Sequence, residues 1–343
     1  MPGDKAPDVP AMQMNAVPRT RIFSHPDDVP DGLRGAVIAI GNFDGVHRGH
    51  QAVIRRAVSE AKARRVPALA MTFEPHPRTY FKPDMPVFRL TPPALKARIL
   101  TFLGVDAVIA LPFDAALAAL GAEDFVKSIL CDGLRAQMTI AGFDFHFGRG
   151  RGGTPQFLEE AGRRHGFATA HVDAFSDQAG RVVSSTRIRE ALGMGDLDRA
   201  NGDLGWRWVV EGDVVHGDKR GRNLGFPTAN MNLPANCMLR QGVYAVRVLI
   251  EGAWYAGAAN YGRRIQFTDG PVILETHVMD FSGDLYGRSI RVEFCQFLRE
   301  EARFASVDAL VAQMGRDVDD ARHGVAATLS APRTELQARL EGG

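Results

Sequence analysis

The chain has 343 residues, with 41 Lys+Arg against 40 Asp+Glu and a net charge of +1. At roughly 150 residues per domain the length predicts two domains, and the charge balance excludes a strongly basic nucleic-acid wrapper. Hydrophobic residues supply 45% of the chain and charged residues 24%, which excludes disorder over most of its length.

Residues 1–20, MPGDKAPDVPAMQMNAVPRT, carry acids and prolines where a signal peptide has an apolar run, so they read as a flexible tail and the protein as cytoplasmic. No stretch approaches the ~20 apolar residues of a spanning helix; even Val105 to Leu120 is broken by Asp106 and Asp114, and no membrane partner is expected. Over 21–200, the β-type runs AVIAI (36–40), PALAMTF (67–73), DAVIAL (106–111) and MTIAG (138–142) alternate with helix-type stretches, which predicts an α/β Rossmann-like domain with a parallel sheet. Thr91 and Pro92 read as cap and first residue of one helix, and Thr154 as the cap of another that stops at Gly166.

A domain over 206–338 has a different texture. WRWVVEGDVV, GVYAVRVLI, WYAGAAN, VILETHVMDF and SIRVEFCQFL follow one another with only turns or loops between them, predicting a mainly antiparallel β-barrel. In SIRVEF, Ile290, Val292 and Phe294 alternate with Arg291 and Glu293, the period of a strand with one buried face. A single long helix capped by Ser306, with a break near Gly324, is expected to close the chain. Cys131, Cys237 and Cys295 are too widely spaced for a disulfide framework or a CxxC metal site.

Two glycine-rich segments carry chemistry. GNFDGVHRGHQAVIRRAV leaves the first strand and enters a helix, placing His47 and His50 together at its N-terminus. Gly41, Gly45 and Gly49 allow the backbone to approach a phosphate, and the helix end favours an anion. A metal half-site or simple packing would also use this histidine spacing, but neither accounts for the glycines. Further on, VVSSTRIREAL offers Ser184, Ser185 and Thr186 at a second helix start, with Arg187 and Arg189 beside them; such a set suits pyrophosphate, or only an N-cap.

GxFDGVHxGH with a downstream SSTxIR, supported by TFEPHPR (72–78) and GFDFHFGRGRGG (142–153), resembles the HxGH nucleotidyltransferases, and within them the adenylyltransferase half of bacterial bifunctional FAD synthetases. The resemblance implies that His47 and His50 stabilise the transferring α-phosphoryl of ATP, with Gly41, Asn42, Phe43, Asp44, Gly45 and Gly49 around the nucleotide. It also places Asp144 near the adenosine or phosphates and Ser185, Thr186 and Arg189 near the pyrophosphate. Glu74 stands where that family usually has Asp, and His146 where it often has Arg.

The second segment, HGDKRGRNLGFPTANM (216–231), is a basic glycine loop without a Walker pattern. Backbone amides at Gly217, Gly221 and Gly225 could cradle phosphates beside Lys219 and Arg222, with Thr228 and Asn230 offering oxygens to Mg²⁺; the alternative for such a run is a solvated basic turn. In VILETHVMDF, Glu275 sits mid-strand among apolar residues, where a carboxylate is costly without a task or partner. Together these resemble the riboflavin kinase half of the same enzymes, over roughly 206–325. The resemblance implies Glu275 as general base, with Phe226 and Arg303 against the flavin. Two stretches depart from that family: Asn260 to Gln266 lacks its Pro-Thr pair, and Trp206-Arg207-Trp208 replaces Arg-Pro-Tyr.

The expected partners are riboflavin, FMN, FAD and ATP, with Mg²⁺ as the metal, no tightly bound cofactor and no nucleic acid. The competing reading is a nucleotidyltransferase for another phosphorylated substrate, carrying a flavin- or RNA-binding barrel that is not a kinase.

Overall fold

The computed structural model describes residues 20–217, 224–263 and 272–342. The first half is a six-stranded, all-parallel sheet. In chain order its elements are β1 (Ile22–Phe23), β2 (Val37–Ile40), α1 (Arg48–Arg64), β3 (Ala68–Glu74), α2 (Pro77–Phe81), α3 (Pro93–Phe102), β4 (Ala107–Pro112), α4 (Ala115–Ala119), α5 (Ala122–Asp124, continued by π-turns over Phe125–Gly133), β5 (Met138–Gly142), α6 (Pro155–His165), β6 (Ala168–Val172), α7 (Ser185–Met194) and α8 (Leu197–Leu204). Strand order is β1-β4-β3-β2-β5-β6. Both sheet faces are covered: Val37 and Ala39 join one hydrophobic core, Ile38 and Ile40 the other, as the two-residue period of a strand requires.

The second half contains β7 (Val209–Asp213), β8 (Thr228–Asn232), β9 (Gly242–Ile250), β10 (Ala253–Arg263), β11 (Val272–Val278), β12 (Ser289–Arg299), α9 (Val307–Ser330) and α10 (Glu335–Gly342). Its strands pair antiparallel in the order β7-β12-β9-β10-β11-β8, and a bridge between Val215 and Asn230 nearly closes the barrel. Among the described residues no helix is long and apolar enough to cross a membrane.

Four local expectations are corrected. Pro92, not Thr91, occupies the cap position of α3, which begins at Pro93; Thr91 is taken up by a hydrogen bond to a loop described below. The helix through Gly324 is unbroken, because this glycine serves close packing: a Cβ there would lie 3.0 Å from Cβ of Ala245 and 2.6 Å from Oε1 of Gln296. That helix does not close the chain, since α10 follows and returns to the barrel, where Gln337 accepts from the Arg207 amide at 2.7 Å. Nor does β12 have one buried face. Glu293 is 2% exposed because its carboxylate accepts from Arg247 Nε at 2.9 Å and Gln337 Nε2 at 3.0 Å. The caps at Thr154 and Ser306 form as expected, each hydroxyl accepting a backbone N–H three residues on.

Gly324→Leu forces a side chain into the α9–barrel contact and is expected to destabilise the protein by about 1–3 kcal/mol, read as a lower urea midpoint with unchanged denaturant slope.

Candidate functional site

The strand order reverses beside β2: the chain steps away from it through β3 and β4, then crosses to its other side with β5. In doubly wound sheets the crevice at the carboxyl ends of such strands is the place for a ligand. Here it is a cleft of about 830 Å³ lined by Gly41, Asn42 and Asp44 after β2, Gly142 to Asp144 after β5, and Ser184 to Thr186 at the start of α7.

The loop after β2 is held in an unusual shape. Phe43, Gly45 and Val46 have φ of +47°, +82° and +38°, a region that branched side chains avoid. Its buried carboxylate, Asp44, forms an ion pair with Arg189 of α7 and accepts from the amides of Leu90 at 3.3 Å and Thr91 at 3.1 Å. The Thr91 hydroxyl accepts from Gly45 N at 2.9 Å, and Ser185 Oγ donates to the Asp44 carbonyl at 2.9 Å. Below, Lys96 Nζ donates to the carbonyl of Asn42 at 3.1 Å and to Thr72 at 2.9 Å. Its ammonium faces Glu74 at 2.6 Å, and Glu74 also pairs with Arg89. The glutamate that stands for the family's aspartate thus reaches two cations from the end of β3.

His47 caps α1, its Nδ1 accepting from His50 N at 3.4 Å, and the two imidazoles stack with centroids 3.6 Å apart and planes 20° from parallel. Burial, helped by the Arg189 charge, lowers His47 to about 4. Burial likewise holds His50 well below the ordinary range, with His47 and Lys96 adding to it. Both rings are therefore neutral at pH 7, each with one N–H to donate. His50 Nδ1 has no hydrogen-bond partner among the described residues. Stacked neutral donors at a helix N-terminus can meet an anion without first being neutralised by a carboxylate.

The cleft gathers His47, His50, Gly41, Asn42, Phe43, Asp44 and Gly49 with Asp144, Ser185, Thr186 and Arg189. Gly45 supports the loop, packing against Leu90 and Leu204. Ser184 caps α7 by accepting from Arg187 N at 3.3 Å. Arg187 is turned away, paired with Asp177 at 2.5 Å and Asp203 at 2.9 Å. His146 hydrogen-bonds the Asp144 carbonyl at 2.8 Å and lines the cleft. Sequence reasoning missed Phe81, Phe113 and Phe143, which line the same cleft, Phe81 and Phe143 being 64% and 50% exposed. No motif or period marks them in the sequence, and it is the structure that brings them to the cleft.

A second polar cluster lies on the barrel. Antiparallel pairing sets Glu275 directly opposite Asn230 on one side and Asn260 on the other, and His277 opposite Thr228, so these side chains share one face. Asn230 is buried and its Oδ1 has no hydrogen-bond partner among the described residues. Gly217 approaches so closely that a Cβ would sit 2.3 Å from Asn230 Nδ2, a contact only glycine permits. Gly225 turns the chain with φ +87° into Phe226, whose ring packs edge-on to His277 at 5.4 Å. Arg303 is exposed, and no ring contact, ion pair or hydrogen bond among the described residues joins it to Phe226. Lys219, Gly221 and Arg222, with the departure at Ile265 and Gln266, lie outside the described residues.

Comparison with known proteins finds a family for each half of the chain. The family model for FAD synthetase matches residues 30–187 and that for riboflavin kinase residues 204–325. A bifunctional riboflavin kinase/FMN adenylyltransferase of Pseudomonas fluorescens is 45% identical over 84% of this chain and 93% of its own length. The protein of the same description from Escherichia coli K12 is 42% identical over 84% and 92%. A crystal structure described as a macrolide-efflux protein from Streptococcus pneumoniae superposes with a TM-score of 0.78 at 31% identity, covering 88% of this chain and 98% of that one.

Between pH 6.5 and 4 the unfolded chain takes up a proton at residue 47 that the folded chain refuses. The stability His47 contributes at neutral pH is therefore lost as pH falls through that window, on the order of 3 kcal/mol. His47→Asn is expected to flatten the fall of the thermal midpoint between pH 6.5 and 4 relative to the parent, and a parallel fall in both proteins would contradict the neutral assignment.

Proposed function

The chain belongs to the family of bifunctional riboflavin kinase/FMN adenylyltransferases, and we propose how its own residues divide the two reactions. The enzyme phosphorylates riboflavin to FMN with ATP, then joins FMN to the AMP part of a second ATP, giving FAD and pyrophosphate. Residues 21–200 are assigned to the second step and 206–338 to the first, with α10 carrying the barrel module on to Gly342.

The observation that carries the adenylyltransferase assignment is the convergence of two helix N-termini, one capped by His47 and one by Ser184, on a single cleft. An FMN phosphate oxygen attacks the α-phosphorus of ATP, and the bond to the β-phosphate breaks. His47 and His50 donate hydrogen bonds to the α-phosphoryl oxygens as charge shifts onto them. The amides and hydroxyls at the start of α7 receive the departing pyrophosphate. Arg189, already paired with Asp44, serves the site mainly by fixing the loop that aims the histidines. The aromatic wall of Phe81, Phe113 and Phe143 suits a planar flavin ring.

In the barrel, Glu275 accepts the proton of the ribityl 5′-hydroxyl as that oxygen attacks the γ-phosphorus and ADP leaves. The Oδ1 of Asn230, unpartnered among the described residues, and the hydroxyl of Thr228 on the same strand face are hard oxygen donors of the kind Mg²⁺ takes alongside phosphate oxygens. Mg²⁺ bound there would neutralise charge on the transferring phosphates. Phe226 and Gly217 are assigned to the flavin and the phosphates, and so is the 219–222 stretch of the loop, to the phosphates; Arg303 is assigned to the flavin edge.

Purified protein incubated with riboflavin, ATP and Mg²⁺ is expected to form FMN and then FAD, resolved chromatographically over time. FAD from FMN with no FMN from riboflavin would overturn the kinase assignment. His47→Ala is expected to slow FAD formation by about 10–100-fold or more, by loss of a hydrogen bond to a charged group, with FMN formation unchanged. Glu275→Ala is expected to do the reverse, slowing FMN formation by about 10²–10⁴-fold. Loss of both activities from either single change in a folded protein would refute the two-site division.

A further inference from the structure

The segment joining the modules, Trp206-Arg207-Trp208, turns both of its indoles back into the adenylyltransferase half. Trp206 is 2% exposed and its Nε1 donates to the carbonyl of Gly45 at 3.2 Å. Trp208 is 1% exposed and donates to the carbonyl of Leu90 at 3.0 Å. The Gly45 carbonyl belongs to the loop in which Phe43, Gly45 and Val46 all have positive φ, and His47 follows at once. A backbone of that shape persists only where its surroundings over-determine it. Thr91 and Arg189 hold the Gly45 amide and the Asp44 carboxylate from within the same half, whereas the Gly45 carbonyl is held by an indole from outside it. Gln51 of α1 adds a parallel tie, donating to the Val46 carbonyl at 2.9 Å and to that of Leu204 at 2.7 Å. The segment is seated by the barrel module: on either side of Trp206, Thr334 Oγ1 donates to the Gly205 carbonyl at 2.7 Å and the Arg207 amide donates to Gln337 Oε1 at 2.7 Å, and Trp208 stacks on Phe294 of β12 with centroids 5.1 Å apart.

We propose that Trp206 is a positioning residue for adenylyl transfer: seated by the barrel module, its indole N–H holds the Gly45 carbonyl and thereby sets the direction of the turn that carries His47 and His50. The inference rests on the assignment of those histidines to adenylyl transfer. It makes the geometry of one active site depend on the docking of the module that houses the other.

The test uses the full-length chain with Trp206→Phe, which keeps an aromatic ring in the core and removes the donor. The expected result is a fall of about 3–30-fold in kcat for FAD formation from FMN and ATP, with KM for both substrates within about twofold and riboflavin phosphorylation unchanged. Amides 45–50 are expected to exchange hydrogen faster by a similar factor. A lower thermal midpoint with unchanged kcat per folded molecule would overturn the proposal, since a purely structural tryptophan would do that. His47→Ala measured alongside separates the two levels: if it retains FAD formation, the histidine assignment fails, and if it loses FAD formation while Trp206→Phe is unaffected, only the positioning role fails. If Trp206→Phe does not fold, exchange in the parent protein decides. The Trp206 indole proton and the amides of Gly45 to His47 share one opening rate if the indole holds the loop, and open independently if it does not.

Discussion

The buried carboxylate of Asp44 is the constraint around which the first active site is assembled. It lies in a loop of positive φ, 5% exposed, and is bound from two separate directions: by Arg189 of α7 and by the amides of Leu90 and Thr91 ahead of α3. A buried carboxylate is tolerated only when its charge and lone pairs are met, and here the groups that meet it come from the elements that form the cleft. Satisfying Asp44 therefore brings the start of α7 to the start of α1. The Ser185 hydroxyl on the Asp44 carbonyl ties the same two elements a second time. Losing the charge partner would both strand a buried anion and let the two helix ends part.

The contact between modules follows similar logic on a larger scale. Arg98 of α3 pairs with Glu211 of β7, which also pairs with Arg291 of β12 at 2.6 Å. Farther in, Arg207 and Arg247 share Glu293 and Glu341. Burial pushes the Glu293 carboxyl upward against the opposing pull of these arginines, so its ionised form depends on their staying in place. Glu341 and Gln337 come from α10, whose Arg339 also donates to the Phe102 carbonyl at 2.9 Å in the other module. The last helix thus completes a charge network that the barrel alone leaves unbalanced. It also covers the polar face of β12, which is why the alternation in SIRVEF does not mark a solvent face.

Where the sequence was legible, a local rule determined the structure. The parallel strands follow from short apolar runs, the caps at Thr154 and Ser306 from a hydroxyl at a helix start, and the histidine pair from its spacing at a strand-to-helix turn. The misreadings arose where a distant partner prevailed. Thr91 looks like a cap, but its hydroxyl is taken by Gly45, 46 residues away. Gly324 looks like a helix break until the barrel wall beside it is known. β8 lies within what the sequence presents as a loop, because TANMN carries neither a β-branched run nor a clear alternation and becomes a strand by pairing with β11. Phe81, Phe113 and Phe143 are far apart in sequence and line one cleft because the connections that follow β3, β4 and β5 lie at the same end of the sheet.

The two sites meet phosphate chemistry by different physical means, and the difference follows from their folds. A parallel sheet covered by helices offers helix ends, so the first site can stabilise developing charge with oriented N–H groups and neutral imidazoles. An antiparallel barrel has few such ends. It offers register instead, and Asn260, Glu275 and Asn230 stand in line across three strands because the ladder fixes their pairing. Shifting β11 by one residue would send Glu275 to the face opposite the two asparagines. The barrel site is thus as well determined as its hydrogen-bond ladder, while the helix-end site is determined only as well as one loop of unfavourable backbone. That asymmetry explains why so many buried polar contacts, from Thr91, Arg189, Ser185, Gln51 and Trp206, converge on the three residues Asp44, Gly45 and Val46, and why one of them comes from the segment that leads into the barrel.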